Sequence, residues 1–205
     1  MHTINVHVLG AVMLGLWFAQ WVVMARGPGG FPKQQQPEGA IARLYNVINM
    51  ATLLIVIPGT ALMLLTGWVG PLVATGVGWP VGVLRSGVEV AGLVCYVGAH
   101  GLMSWARFSI GGSFQMGGVA PRADDRLAVR GAYRVVRHPM YTALLGFDLG
   151  LLCLTQSIAF LVLLVVIFAL ILRLIPVEDR HLAAAYGDSF EVYRNEVRAL
   201  VPGVY

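Results

Sequence analysis

Charge is scarce in this sequence. Of 205 residues only 12% are charged, against the roughly 25% typical of soluble domains, and lysine occurs once. Hydrophobic residues make up 58% of the chain, and its mean hydropathy is +0.75. A chain with so few charges has too little polar surface to cover a water-soluble globule. The composition therefore indicates an integral membrane protein.

Cysteine is scarce as well. The two cysteines, Cys95 and Cys153, lie inside apolar runs, which argues against a disulfide framework and favours ordinary packing roles. The sequence contains no cluster with the spacing of metal ligands, so no metal is expected. The net charge of +4 comes mainly from arginines in a few short loops, a distribution typical of membrane topology rather than of nucleic-acid binding.

Five apolar segments are long enough to cross a bilayer. Each approaches the roughly 20 residues that span a hydrocarbon core of ~30 Å. Because no water pairs with the backbone there, these segments should be helices. We predict an all-α, polytopic membrane protein with a single domain over residues 1–205. The predicted spans are 6–24, 45–69, 81–105, 139–154 and 158–175, of which the second contains Pro58 and should be kinked there.

Basic residues alternate between the connecting segments. They occur between the first two spans, between the third and fourth, and in the tail, whereas the 71–80 segment carries no charge. The positive-inside rule then predicts the N-terminus outside and the C-terminus in the cytoplasm. The tail should also form a cytoplasmic amphipathic helix, either whole or divided at Gly187. Its apolar face would comprise Leu182, Tyr186, Phe190, Tyr193 and Val197.

Several polar residues fall inside the predicted spans. Arg85 and Glu89 are four residues apart and should pair across one helical turn. Glu89, His100 and Asp148 are unfavourable in lipid, which indicates either a functional role or pairing between helices. The Gly146-x-x-x-Gly150 pattern predicts close helix packing.

A basic loop turns into a helix near Pro139. Proline suits the first helical position, and His138 before it is pushed out of the helical conformation. The N–H groups of Met140 and Tyr141 would then point outward at the positive end of the helix dipole, where an anion binds well. The same region is equally consistent with interfacial residues that only set the topology. Its further donors are Tyr133, Arg134 and Arg137.

Glu178 follows the fifth span. If Pro176 starts the tail helix, Glu178 lies in its first turn, where the helix dipole favours a carboxylate. Glu178 also shares the apolar face of Leu182 and Tyr186, so it needs a partner such as a ribose or an ammonium group. Arg173 either extends to the membrane interface or binds an acidic substrate in a two-bond fork.

The order of these motifs resembles the isoprenylcysteine carboxyl methyltransferase family. It is also similar to the wider superfamily of membrane methyltransferases that includes phospholipid N-methyltransferases. The resemblance covers about residues 105–205, which it identifies as a cofactor-binding part with S-adenosylmethionine as the cofactor. The series consists of Gly131-x-Tyr133, Arg137-His138-Pro139-x-Tyr141, an apolar hairpin, an acidic pair at 178–179, Tyr186-Gly187 and Tyr193.

The resemblance also implies which residues contact the cofactor. The family's substrate-binding arginine aligns with Leu174, and Arg173 is one residue away. A family glutamine aligns with Gly118, close to Gln115, and Asp179 stands where the family has glutamate. The implied cofactor contacts are Asp125, Arg126, Leu127, Ala128, Tyr133, His138, Pro139, Met140, Tyr141 and Glu178.

The implied activity is methyl transfer from S-adenosylmethionine, bound on the cytoplasmic side, to a lipophilic acceptor that enters from the bilayer. The family's acceptor is an isoprenylcysteine-type carboxylate, which is already anionic, so no catalytic base is expected. Three alternatives stay open. They are a phospholipid amine or thiol methyltransferase, an NADPH-dependent membrane reductase with a related C-terminal fold, and a non-enzymatic membrane protein.

Overall fold

Long helices dominate the computed structural model, which describes residues 5–31, 37, 39–70, 72, 76, 83–115 and 117–203. The uncharged segment expected at 71–80 lies mostly outside these ranges, since only its residues 72 and 76 are described. The helices are α1 (Val6–Arg26), α2 (Gly39–Ala51), α3 (Ile57–Thr66), α4 (Val83–Ile110), α5 (Pro139–Thr155), α6 (Ile158–Tyr186) and α7 (Asp188–Glu196).

Four helical stretches are long and apolar enough to cross a membrane: Val6–Arg26, Gly39–Thr66, Leu84–Ser113 and Ile158–Tyr186. The fifth predicted span is α5, whose 17 residues reach about 25 Å at 1.5 Å per residue. Most residues of α5 are buried because this helix packs against both α4 and α6. The predicted all-α, polytopic membrane fold is confirmed.

Glycines bring α4 and α5 close together. A Cβ added to Gly150 would lie 3.0 Å from the backbone nitrogen of Tyr96, and one added to Gly92 would lie 2.6 Å from the Cβ of Cys153. Neither position has room for a side chain. The packing role predicted for Gly146-x-x-x-Gly150 is therefore confirmed, and Cys153 is a free thiol that serves as a packing residue.

Replacing Gly150 with leucine is expected to force α4 and α5 apart. The Tyr96 backbone cannot move aside as a flexible side chain would, so overpacking should lower the free energy of unfolding by about 1–3 kcal/mol. Thermal unfolding in detergent measures this loss. Gly98→Leu is the matched control, since a Cβ there meets no atom within 4 Å. Equal melting temperatures of the two variants would contradict the close packing.

The second span is distorted just before Pro58, where a kink was predicted. Residues Thr52–Val56 form a π-helical turn in which the Ile57 N–H bonds five residues back. The Leu53 carbonyl then lacks a partner in its own helix, because that N–H is taken and Pro58 has none. Trp17 Nε1 on α1 donates to this carbonyl at 2.7 Å. The distortion is thus stabilised by a hydrogen bond from a neighbouring helix.

The tail departs from the prediction at Pro176. This proline does not start a helix but lies inside α6, which continues to Tyr186. The expected new helix is wrong because proline removes only one backbone hydrogen bond, a loss that long apolar helices tolerate. Gly187, with φ of +55°, ends α6, and α7 begins at the next residue. Glu178 therefore lies two turns before the end of a long helix.

Candidate functional site

A cavity of about 360 Å³ extends from the loops at one end of the bundle into its apolar interior. Titratable side chains such as Glu178, His138 and Asp125 line its outer end. Trp17, Leu53 and other apolar side chains line its inner end. Concave sites with a few polar groups in an otherwise apolar wall are typical of small-molecule binding. The change from a polar to an apolar lining suits a ligand that is polar at one end and apolar at the other.

Most of the predicted cofactor contacts meet in this cavity. Pro139 is buried behind the wall, and it is not among the lining residues. The structure does not bring Arg173 or Arg134 to the cavity, since both are exposed elsewhere, whereas Leu174 is buried. The nine that line the cavity are Asp125, Arg126, Leu127, Ala128, Tyr133, His138, Met140, Tyr141 and Glu178.

Glu178 has three hydrogen-bond partners, one on a loop and two at the start of α5. Its Oε1 accepts from the Gly118 N–H at 2.7 Å and from the Tyr141 hydroxyl at 2.5 Å. Its Oε2 lies 3.3 Å from His138 Nδ1. A half-buried carboxylate requires such partners. The sequence required a partner for this carboxylate, and in the structure protein groups serve as partners and join α6 to α5 and to the preceding loop.

His138 lies between two carboxylates. Its Nδ1 faces Glu178, and its Nε2 lies 3.2 Å from Asp179 Oδ1. Both ring nitrogens donate only when the imidazole is doubly protonated. Burial lowers the pKa of His138, but hydrogen bonds to Asp179 and Glu178 outweigh it and leave the pKa above its ordinary value. The surroundings thus favour the imidazolium form.

Arg137 lines the cavity, but protein groups take up two of its three guanidinium nitrogens, and its buried Nε has no hydrogen-bond partner among the described residues. Its Nη2 donates to Asp179 Oδ2 at 3.0 Å, and its Nη1 donates to the Val197 carbonyl at 2.5 Å. The backbone N–H groups of Arg137 and His138 donate to the carbonyls of residues 198 and 199 at 2.7 and 2.9 Å. The segment after α7 therefore fixes the start of α5, and Arg137 belongs to that support.

A loop before Tyr133 covers the polar end of the cavity. Asp125 accepts a two-bond fork from Arg122, at 3.1 and 2.8 Å, and a further hydrogen bond from Gln115 Nε2. Burial raises the pKa of Asp125, but these hydrogen bonds outweigh it and the pKa lies below its ordinary value. Gln115 Oε1 is buried and has no hydrogen-bond partner among the described residues. It is an acceptor available to a ligand.

The sequence alone did not reveal the role of Gly117 and Gly118. A Cβ on Gly117 would lie 2.4 Å from the Tyr141 hydroxyl oxygen, and one on Gly118 would lie 2.4 Å from the Cβ of Ala42. Only glycine allows this loop to approach close enough for its N–H to reach Glu178. The Gly-Gly pair in a polar loop was the available signal, because paired glycines often mark a close backbone approach.

The other polar residues of the spans differ in their hydrogen-bond partners. Arg85 Nε pairs with Glu89 Oε1 at 3.1 Å, as predicted from their spacing. Asp148 is fully buried on α5, and neither of its carboxyl oxygens has a hydrogen-bond partner within the described ranges. His100 lines the cavity, and its Nδ1 lies 3.3 Å from Gln20 Oε1. Among the described residues, no group of three or more His, Cys, Asp or Glu is placed to hold a metal ion.

Helices that cross the membrane around a cavity with a charged outer end define this chain as a polytopic membrane protein with an internal cavity. Residues 88–189 match the model of the phospholipid methyltransferase family. Over this stretch, which is 102 of the chain's 205 residues, the chain matches that family. The match includes the loop before α5, α5 itself and α6, which together carry all of the predicted cofactor contacts, and it supports the resemblance recognised in the sequence.

Two curated proteins are similar to part of the chain. One is the cobalt-zinc-cadmium resistance protein CzcN of Cupriavidus metallidurans, 35% identical over 85 residues, which cover 41% of this chain and 39% of that protein. The other is the protein-S-isoprenylcysteine O-methyltransferase of Schizosaccharomyces pombe. It is 32% identical over 103 residues, which cover 49% of this chain and 44% of that protein. The chain thus spans less than half the length of either relative.

Proposed function

We propose that this protein is a membrane methyltransferase that moves the methyl group of S-adenosylmethionine to a lipophilic acceptor. The observation that carries the proposal is the single cavity in which nine of the ten implied cofactor contacts meet. The same cavity continues into the apolar interior, where a lipid chain can be held. The match of residues 88–189 to the phospholipid methyltransferase family supports the same activity.

The polar groups at this end of the cavity fit S-adenosylmethionine chemically. That molecule carries a cationic sulfonium and an ammonium group, and the carboxylates of Glu178 and Asp125 line this end of the cavity. The Tyr133 ring also lines the cavity, and an aromatic ring can bind a cation over its face. The buried Gln115 Oε1 would accept a hydrogen bond from an ammonium or ribose hydroxyl group. These residues would hold the cofactor against the loop and α6.

Protein groups in this site position the substrates and exclude water. When bound, S-adenosylmethionine supplies a methyl group that is reactive without prior activation. Glu178 is fixed by Gly118, Tyr141 and His138, so its free lone pairs keep one direction. Holding donor and acceptor in line, away from water, supplies the rate enhancement in this proposal. A carboxylate or thiolate acceptor arrives as an anion, so no residue needs to remove a proton.

Two acceptor classes have support from separate observations. Similarity to a protein-S-isoprenylcysteine O-methyltransferase favours a lipidated carboxylate, whereas the family model favours a phospholipid. For a carboxylate acceptor, Arg126 is better placed than Arg173, because Arg126 lines the cavity. We further propose that the polar end faces the cytoplasm, with the N-terminus outside, since the arginine-rich 122–137 segment lies at this end.

Purified protein in detergent is expected to bind S-adenosylmethionine with saturation and to show no saturable binding of NADPH. Calorimetric titration measures both, and a transfer assay with labelled cofactor against prenylated carboxylic acids, phospholipids and thiols then identifies the acceptor. Methyl transfer to one class alone assigns the substrate. Binding of NADPH without S-adenosylmethionine would instead support a reductase and overturn the proposal.

A further inference from the structure

A second polar cluster lies at the apolar end of the same cavity, far from Glu178. It is formed by Gln20 on α1 and His100 on α4, and Asn49 on α2 lines the same cavity. Gln20 Oε1 lies 3.3 Å from His100 Nδ1 and also accepts a hydrogen bond from the Ser104 hydroxyl at 3.3 Å. The surrounding wall is apolar, and its members include Trp17, Leu53, Met103 and Phe147.

Hydrogen bonds inside the cluster leave three polar atoms without partners. Because Gln20 Oε1 can only accept, His100 Nδ1 carries the proton, and Nε2 of the neutral ring is therefore an acceptor. His100 Nε2, Gln20 Nε2 and Asn49 Oδ1 are all shielded from water and have no hydrogen-bond partner in the part of the chain that the structure describes. His100 is 93% buried, with 7% of its surface exposed. The cluster thus presents unused donors and acceptors, which folded proteins rarely bury without a ligand.

The position of the cluster separates it from the cofactor end. The His100 ring lies 4.5 Å from the Phe147 ring, centroid to centroid. Phe147 follows His138 by nine residues, about 13 Å along α5 at 1.5 Å per residue. Groups bound by the cluster and by Glu178 would therefore belong to different parts of the bound molecules.

We propose that the lipophilic substrate carries a neutral hydroxyl group part-way along its chain and that Gln20 and His100 bind this group. This inference rests on the proposed function, because it concerns the acceptor of the same site. A hydroxyl group donates one hydrogen bond, to His100 Nε2, and accepts one, from Gln20 Nε2. An ionised group would be too costly to desolvate at this depth. A pure hydrocarbon chain would leave His100 Nε2 and Gln20 Nε2 unsatisfied, so the cluster selects against it.

Displacement of a fluorescent fatty acid from the full chain in nanodiscs tests the proposal without methyl transfer. The competitors are stearic acid and a series of hydroxystearic acids with the hydroxyl at successive positions. We expect a mid-chain hydroxyl to tighten binding by about tenfold, a factor that corresponds to about 1.4 kcal/mol. Equal affinities across the series would overturn the proposal. The calorimetric titration with S-adenosylmethionine tests the proposed function separately, and absence of cofactor binding to the wild-type protein would contradict that function alone.

The double variant Gln20→Leu, His100→Leu distinguishes ligand binding from a structural role. We expect it to bind stearic acid normally and to lose the preference for the hydroxyl group. Its melting curve shows whether it is folded, because the substitutions also remove the hydrogen bonds that Gln20 Oε1 accepts. Thr60→Val is the matched control, since Thr60 is buried on α3 outside the cavity lining and should leave the preference intact. A preserved preference in the folded double variant, or loss of the preference in Thr60→Val, would overturn the assignment.

Discussion

Glu178→Gln is expected to weaken S-adenosylmethionine binding by roughly 10- to 150-fold. The substitution keeps the size of the side chain but removes the negative charge, and a hydrogen bond to a charged group contributes about 1.5–3 kcal/mol. It also leaves the His138 imidazolium with one carboxylate partner, at Asp179, in place of two. Calorimetric titration of the purified variant in detergent measures the change in affinity.

The control for this variant is Glu191→Gln on α7. Glu191 is half exposed and pairs only with Arg194, 3.6 Å away across one turn, so its loss should leave the affinity unchanged. A melting curve of each variant separates loss of binding from loss of fold. Normal cofactor affinity in a folded Glu178→Gln protein would show that the cofactor site lies elsewhere.

Arg107→Met is expected to give the largest loss of stability. Arg107 is fully buried, and its guanidinium donates to the carbonyls of Gly111 at 3.0 Å, Pro28 at 3.0 Å and Gly30 at 2.6 Å. Methionine keeps much of the apolar volume but leaves these three carbonyls without a donor. A buried unsatisfied group costs about 1–3 kcal/mol, and because water reaches part of this loop the three carbonyls should each cost about 1–2 kcal/mol, roughly 3–6 kcal/mol in total.

Thermal unfolding in detergent measures the loss at Arg107, and Arg130→Met is the matched control because Arg130 is exposed. Lysine at position 107 should rescue little, since an ammonium group lacks the planar fork that reaches three carbonyls. Limited proteolysis should also cut the 27–31 segment faster in Arg107→Met. An unchanged melting temperature and an unchanged cleavage rate would contradict this anchoring role.

Local sequence patterns were sufficient to predict several parts of the site. The His138-Pro139 junction was predicted correctly as a helix start, because proline at the first helical position is a property of neighbouring residues. The inward face of Glu178 was also correct, although the helix boundary at Pro176 was wrong. Glu178, Leu182 and Tyr186 share a face in any continuous helix, wherever it begins.

Contacts between distant segments could not be predicted in the same way. The Gly118 N–H reaches Glu178 across 60 residues, and Trp17 completes the hydrogen bonds of a turn 36 residues away. Arg137 was expected to add donors near an anion, but Asp179 and the backbone after α7 use its Nη1 and Nη2 groups and leave only Nε. These outcomes depend on tertiary packing, which residue type and spacing do not specify.

The length of α6 has a consequence for substrates that dissolve in different phases. Its 29 residues extend for about 43 Å, whereas a hydrocarbon core is ~30 Å thick. The last ~13 Å of α6, which begins near Glu178, therefore projects beyond the hydrocarbon core and is part of the same continuous helix. A water-soluble donor and a lipid-soluble acceptor would each stay in its own solvent until their reacting ends met at that boundary. The protein would then have no need to extract either partner.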